Sequence, residues 1–566
     1  MTVKGARHDN FAKIRIFLGG GGYYRSLLIA EAVLCCALAA QADDLFWYGA
    51  AGDGLWNNPA NWSTTEASYT ASTAYPNDAT QYSVHLYTHL VADHAISITI
   101  PADCTDAACL RIRVKDDSAP GTVEIVGAGS SRVPLKFPAY PNSNYNGGFV
   151  RTAFAYPVKI TCRNIHFSDW LYFNWSNKDA PSYWTDTVAN GDGFALYNCC
   201  YTNYPTATHA QINPPGGANA TCTIVDSTIV LRYFVRANPN GTLTIAVTNS
   251  TLSVSERMRI DGPNTTFDFV GSTLKIGAEA SSDPKLLFGD RTDDAAHRDI
   301  HAGMKIRFKD STIDFTELGA SSSRAIYTRA SGRELVFDNA EIKGDLYAIQ
   351  LPDVDSVTRV KDTSLHFKRS NAYATYGIFY LDNGEWAMDT GHIELSGGRA
   401  HFIFSGAAPC LDPAWMDYKS NTPPPVFDFI VPAGGYKQAP ISLRYSTDGQ
   451  DKGVFGTIPN AAPNQGTINV LPESMAAKTA GTTICPLVYA KDTTARVNLV
   501  RGVPTTLPNE KSSFLYTTNG TWDYDAVASK TESDWMPWDG TVGVMGLAVK
   551  IVGSAVHRSG CVYIVH

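Results

Sequence analysis

A chain of 566 residues with 44% hydrophobic and 18% charged residues has ample apolar content for a folded core, which excludes disorder as its main state. Its 46 Gly and 30 Pro fit neither a collagen-like nor a low-complexity chain, and its 28 Tyr suit strands better than long helices. Residues 1–42 hold five basic and two acidic side chains, so the formal charge of −8 becomes −11 beyond them. No basic block remains there, and nucleic acid is excluded as a general partner.

Lys4, Arg7, Lys13, Arg15 and Arg25 precede an apolar run from Leu27 to Ala39 that Glu31 interrupts. The run closes on Ala40-Gln41-Ala42, the small-x-small pattern that a signal peptidase requires. It is shorter than the ~20 apolar residues of a membrane anchor, and neither Cys35 nor Cys36 sits in a lipobox. Residues 1–42 are therefore read as a signal peptide cleaved near Ala42, and the mature chain as secreted or cell-surface without a transmembrane segment. Nine cysteines follow, at 104, 109, 162, 199, 200, 222, 410, 485 and 561. An odd number leaves at least one unpaired within the chain. Cys104 and Cys109 are spaced to close a small loop in an oxidising compartment, whereas Cys162 and Cys222 sit in strand-like runs as small buried hydrophobes. No CxxC supports a zinc site.

Next comes Trp47-Tyr48-Gly49, then Gly52-Asp53-Gly54-Leu55-Trp56, then Pro59-Ala60-Asn61-Trp62. The 16 residues from Trp47 to Trp62 resemble the W-x-G…G-x-W-x-x-x-x-N-W opening of secreted bacterial proteins of the autotransporter-associated and pectin-lyase-like β-helix type. The resemblance implies a right-handed parallel β-helix and is nearly silent on activity. Such a coil must hide the apolar end of its core and its free backbone groups, and three Trp with Gly and Asn-Pro turns make a cap over 43–82. A sugar-binding Trp cluster is the competing reading.

Alternating strands at Ala95–Ile100, Leu110–Val114 and Val123–Val126 read as the first turns of the coil. A run from Ser168 to Tyr204 then looks like an insertion, with ten aromatics in 37 residues. From residue 222 a short strand, a polar corner and a second strand recur. The corners are Asp226-Ser227-Thr228, Asn249-Ser250-Thr251, Gly271-Ser272-Thr273 and Asp310-Ser311-Thr312, with weaker copies at Asn339 and Asp362 and a degenerate one at Thr390. They lie 23, 22, 39, 29, 23 and 28 residues apart. A base step with variable additions is what stacked rungs produce, with Ser-Thr corners exchanging hydrogen bonds between rungs. A β-sandwich, the alternative, has no need of one recurring turn sequence. The predicted fold is all-β: a right-handed parallel β-helix over 83–430, with the Trp-rich cap before it. From 431 to 566 the pattern changes to Gly-, Pro- and Asn-rich strands, read as a C-terminal β-rich cap or small β-domain.

Two segments suit chemistry. In the aromatic one, Trp170, Trp175, Tyr183 and Trp184 offer faces for sugar rings, with Asp192 to accept hydroxyl protons; a self-packed satellite core is the alternative. The 39-residue step holds Asp283 to Gly303, whose Asp290, Asp293, Asp294 and His297 are weak catalytic candidates and suit Ca²⁺; a solvated charged loop has the same composition. His85 and His89 are too far apart on a strand for one metal, and no other metal or cofactor motif is evident. Polygalacturonase-type and pectate-lyase motifs are absent, although Arg257-Met258-Arg259 sits on a rung. The expected function is therefore an exported, adhesin-like or glycan-contacting protein without an evident catalytic motif. A polysaccharide lyase or glycoside hydrolase acting on extracellular polysaccharide is the alternative.

Overall fold

A residue that turns a strand through a sharp corner must adopt positive φ, which Gly, Asn and Asp do at least cost. Nine consecutive turns meet this demand, at Asn164, Asn198, Asp226, Asn249, Gly271, Asp310, Asn339, Asp362 and Asn383, all with φ between 47° and 57°. The backbone amide of each donates to the strand end of the next turn: Asp226 to Thr248 (3.1 Å), Asn249 to Val270 (3.1 Å), Gly271 to Lys309 (3.0 Å) and Asp310 to Asp338 (2.9 Å). The corners therefore form one continuous row. Thr390, expected as a corner, instead ends the strand Glu385–Thr390. The corner falls at Asn383, because β-branched Thr resists positive φ.

The residue after each corner forms a second ladder. Ser250 Oγ donates to the Thr248 carbonyl (2.7 Å) and accepts from the Ser227 amide (3.0 Å). Ser227, Ser272, Ser311 and Thr363 bond in the same way, and all are buried. Cys199 takes the serine's place in its turn, its thiol 3.5 Å from the Tyr197 carbonyl. Ser250→Ala leaves the buried Ser227 amide without an acceptor, so a loss of about 1–3 kcal/mol is expected in denaturant titration. Ser250→Thr should recover most of it, as Thr363 does naturally.

The structure is a computed structural model. It describes residues 44–412, apart from 80–81, 139–147, 152–155, 170, 175–190, 203–210, 214–218, 237–240, 278–285, 290–300, 319–324, 345, 347, 351–355, 369–371, 374–376, 391–392 and 396–399. Beyond 412 it describes the strands Met416–Tyr418, Val426–Val431, Ile441–Leu443, Thr467–Pro472, Thr483–Ala490, Ser513–Tyr516 and Met545–Ile551. Residues 1–42, read above as a signal peptide, lie outside the described residues. Among those residues the chain is all-β with long parallel sheets, an arrangement consistent with a parallel β-helix.

From Gly121 to Tyr418, each turn contributes a strand to each of three stacks. The first stack holds 14 strands in parallel register from Ala95–Ile100 to Thr467–Pro472, passing residue 430 without a break. The second follows the corner row and includes Val133–Phe137, Ile165–Asp169, Thr273–Ile276 and Thr312–Asp314. The third includes Ser83–Tyr87, Arg111–Lys115, Gly148–Arg151, Tyr172–Asn174, Leu286–Gly289 and Ala325–Arg329. The long strands Thr228–Arg236 and Thr251–Ile260 serve the second and third stacks in turn, bending where the register shifts between Leu231 and Tyr233. Between strands, antiparallel pairing occurs near the two ends of the described chain: Asp44–Trp47 with Trp62–Ser63 at the start, and Met545–Ile551 with Thr483–Ala490 and Ser513–Tyr516 at the other.

Inward positions alternate as strand geometry requires and fill one continuous core. Cys162 and Cys222 are fully buried in it, and burial pushes their thiols up, Cys222 to about 12. Cys104 and Cys109 are unbridged and buried. The Trp motif closes the first edge. Asp44–Trp47 pairs in parallel with Ser83–Tyr87, while Gly54 and Trp56 exchange hydrogen bonds with Thr99 on the first strand of the first stack (2.8 and 2.9 Å). Trp47, Trp56 and Trp62 are buried, with Trp62 edge-on to both others.

Candidate functional site

From the Asn164 corner onward, the corner between the first and second stacks stays tight through Asn383. Every longer connection over this span begins or ends at a strand of the third stack. The segment 175–190 directly follows Tyr172–Asn174, and 290–300 directly follows Leu286–Gly289. Function concentrates where insertions rise from a rigid frame, so the outer side of this stack is the candidate site.

Its described centre is the bend. The shift after Leu231 places Arg232 opposite Ser255 and Glu256, and Arg232 Nε donates to Glu256 Oε2 at 2.6 Å. The Arg232 guanidinium also lies 5.1 Å from the Tyr233 ring centre. Burial and a hydrogen bond to Glu256 push the Tyr233 phenol up to about 12, so it stays a proton donor. Tyr233 stands in register with Arg257 on the next turn. Deeper in, Arg259 Nε donates to the fully buried Asp261 Oδ1 (3.0 Å) and its Nη2 forms an ion pair with Oδ2 (2.6 Å), while His301 Nδ1 accepts from the Gly262 amide (3.0 Å). This combination of phenol, carboxylate and guanidinium can grip polyhydroxylated rings.

A second polar group lies at the start of the same stack. His85, stacked on Phe46 with ring centres 4.4 Å apart, accepts or donates at Nδ1 to the Tyr87 hydroxyl (2.8 Å). Its Nε2 is 2.9 Å from Asp44, and burial holds its pKa below the ordinary range. His89 lies beyond it on the short turn Thr88–Leu90. Among the described residues no group of three or more His, Cys, Asp or Glu is arranged to hold a metal.

Trp170, Trp175, Tyr183 and Trp184 lie outside the described residues, as do Asp290, Asp293, Asp294 and His297. Asp192 is placed: it is fully buried, accepts from the Val158 amide (2.6 Å) and sits 3.7 Å from Arg151 Nε. The stretch 168–204, read as one insertion, contains a complete turn. Tyr172–Asn174, Gly193–Tyr197 and Cys200–Tyr201 are strands, and Phe173, Phe194 and Tyr201 are core residues. The missed signal was Tyr197-Asn198-Cys199, a corner with Cys in the serine position.

Burial pushes the Asp192 carboxyl up from 3.8 to about 6, against the opposing charge of Arg151. Between those values the folded protein keeps a proton that the unfolded chain has shed, so stability falls as pH rises through this window. Asp192→Asn is expected to flatten that slope by about 2–3 kcal/mol between pH 4 and pH 7 in urea denaturation. An unchanged slope would remove Asp192 as its source.

No family model, curated protein or solved structure matches the chain.

Proposed function

We propose that the chain is an exported, right-handed parallel β-helix of the pectin-lyase-like type, capped at both ends, that contacts extracellular or cell-surface glycans along its third stack. The observation carrying this reading is that every longer connection between Asn164 and Asn383 begins or ends at a strand of that stack, whose described centre holds Arg232, Tyr233, Glu256 and Arg257. The aromatic segment with Trp170, Trp175, Tyr183 and Trp184 adds rings for stacking on sugars, and the Trp-rich opening supports the kinship and the export. No helix among the described residues is long and apolar enough to cross a membrane.

The alternative is a polysaccharide lyase or glycoside hydrolase, with Asp290, Asp293, Asp294 and His297 supplying acid–base groups or Ca²⁺ ligands. The proton-holding Tyr233 beside Glu256 favours it. A panel of soluble extracellular glycans, titrated by Trp fluorescence, separates the two. Binding without turnover, weakened about 10-fold or more by Arg257→Ala or Trp184→Ala, supports the contact reading. Turnover abolished by Asp293→Ala or Asp294→Ala replaces it with the enzyme.

A further inference from the structure

The outer side of the first stack changes character along its length. At one end Arg163 pairs with Glu124 (2.9 Å) and lies 4.1 Å from the Tyr197 ring centre. At the other, Arg307 forms two bonds to Asp268 (2.7 Å each), Arg359 pairs with Glu334 (3.6 Å) and Lys361 with Asp338 (3.2 Å). Between them lie Gly193–Tyr197, Ala220–Val225 and Leu243–Thr248. These three strands turn outward Gly193, Ala195, Tyr197, Thr221, Thr223, Val225, Thr244, Ala246 and Thr248, and none is charged.

Register makes the surface a grid. Thr221, Thr244 and Thr266 form one row, and Ala195, Thr223 and Ala246 the next. Rows and columns repeat at about 4.8 Å across strands and about 6.7 Å along them. Thr221 and Thr244 are exposed, Thr223, Thr248 and Thr266 half-exposed, and their hydroxyls bond to nothing within the described residues. A side chain at Gly193 would come within 2.9 Å of Thr221 Oγ1 and 3.1 Å of Lys159 Cγ, so glycine leaves room for both neighbours, and the exposed Lys159 marks the edge of the row. The inward partners Cys222, Ile224, Ile245 and Val247 are fully buried, and the neighbouring corners Asn198, Asp226 and Asn249 carry no insertions.

We infer that this grid is a second binding face, for the flat side of packed, uncharged polysaccharide chains. It extends the glycan reading to a separate surface and a different physical form of ligand. Free hydroxyls both donate and accept, their methyl groups exclude water, and a rigid sheet loses little freedom on binding. A protein partner would want aromatic or Arg anchors, and Tyr197 is already engaged with Arg163. Nucleic acid would want cations, which the grid lacks. A two-dimensional repeat, several strands wide, complements a layer of parallel chains better than one chain in a groove.

The test incubates the full chain with microcrystalline cellulose and with crystalline chitin, beside the soluble-glycan titration. The wild type should be retained on at least one solid. Thr223→Lys and Thr244→Lys, which set an unpaired ammonium against a neutral layer, should each weaken retention about 10-fold or more while melting is unchanged. Arg257→Ala should be retained like the wild type, and Thr223→Lys should titrate soluble glycans normally. No retention, or retention indifferent to both lysines, overturns the inference, as does inhibition of ice recrystallisation by a protein that ignores both solids. Retention without soluble-glycan binding would instead remove the third-stack reading alone.

Discussion

Trp56→Ala is expected to lower the unfolding free energy by about 3–5 kcal/mol, the cost of emptying a core site of an indole. Trp56 is fully buried, and its Nε1 donates to the Pro76 carbonyl at 2.8 Å. Its own carbonyl accepts from Trp62 Nε1 at 2.8 Å, and the two rings meet edge-on at 5.2 Å. The ring therefore packs the first turn while its backbone holds Thr99 on the first strand of the first stack. Loss of the ring should also loosen Asn61, which donates to Asp53 and Leu55 and accepts from the Ala51 amide. Denaturant titration measures the effect, and a loss under about 1 kcal/mol would show the motif to be an appendage rather than a seal.

Phe308→Ala is expected to cost a similar ~3–5 kcal/mol, because its ring lies among Phe267, Phe269, Phe288 and Phe337 at centre distances of 5.6, 5.8, 6.5 and 5.7 Å. Three of those rings sit on the first-stack strands directly before and after its own, and Phe288 sits on the third-stack strand of the preceding turn. The cavity would thus open at the joint between turns, where backbone relaxation is limited by the ladder. Arg307→Ala, one residue away on the outer side, removes a well-formed but exposed pair and should cost about 1 kcal/mol or less. Equal losses at the two positions would contradict the inward–outward alternation of Lys305–Lys309.

The corner row was legible in the sequence because its chemistry is narrow. Only Gly, Asn and Asp take positive φ cheaply, so Asp226, Asn249, Gly271, Asp310, Asn339 and Asp362 announce themselves, and the following Ser or Thr repeats with them. Asn198 escaped because Cys199 replaces the serine, and Asn383 because Gly384 does. The first stack was legible for a similar reason, since its strands alternate cleanly in and out. Beyond Arg111–Lys115, which the alternation of Leu110–Val114 reveals, the third stack was not. Its strands are short, and at its ends the chain buries charge, as in Arg151 with Asp192 and Arg259 with Asp261. A charged residue beside a long connection reads as loop, so strands such as Tyr172–Asn174 and Leu286–Gly289 disappeared into apparent insertions. Arg257 stands out in the sequence as part of an Arg-x-Arg pair, but Tyr233 is joined to it only by register across turns. The threonine grid was hidden likewise, because its rows run across strands rather than along the chain.

Register between turns underlies both proposed binding faces, and a distance across the first stack tests it most directly. Thr161, Ala195, Thr223, Ala246, Asp268 and Arg307 stand in one line, each paired with the next. Nitroxide labels at Thr161→Cys and Arg307→Cys, with the half-exposed Cys200 replaced by serine, span five strand spacings. Pulsed electron double resonance should give a narrow distribution near 24 Å, allowing for label reach, from five steps of about 4.8 Å. A broad distribution, or one centred beyond about 40 Å, would mean that these strands are not stacked turn upon turn.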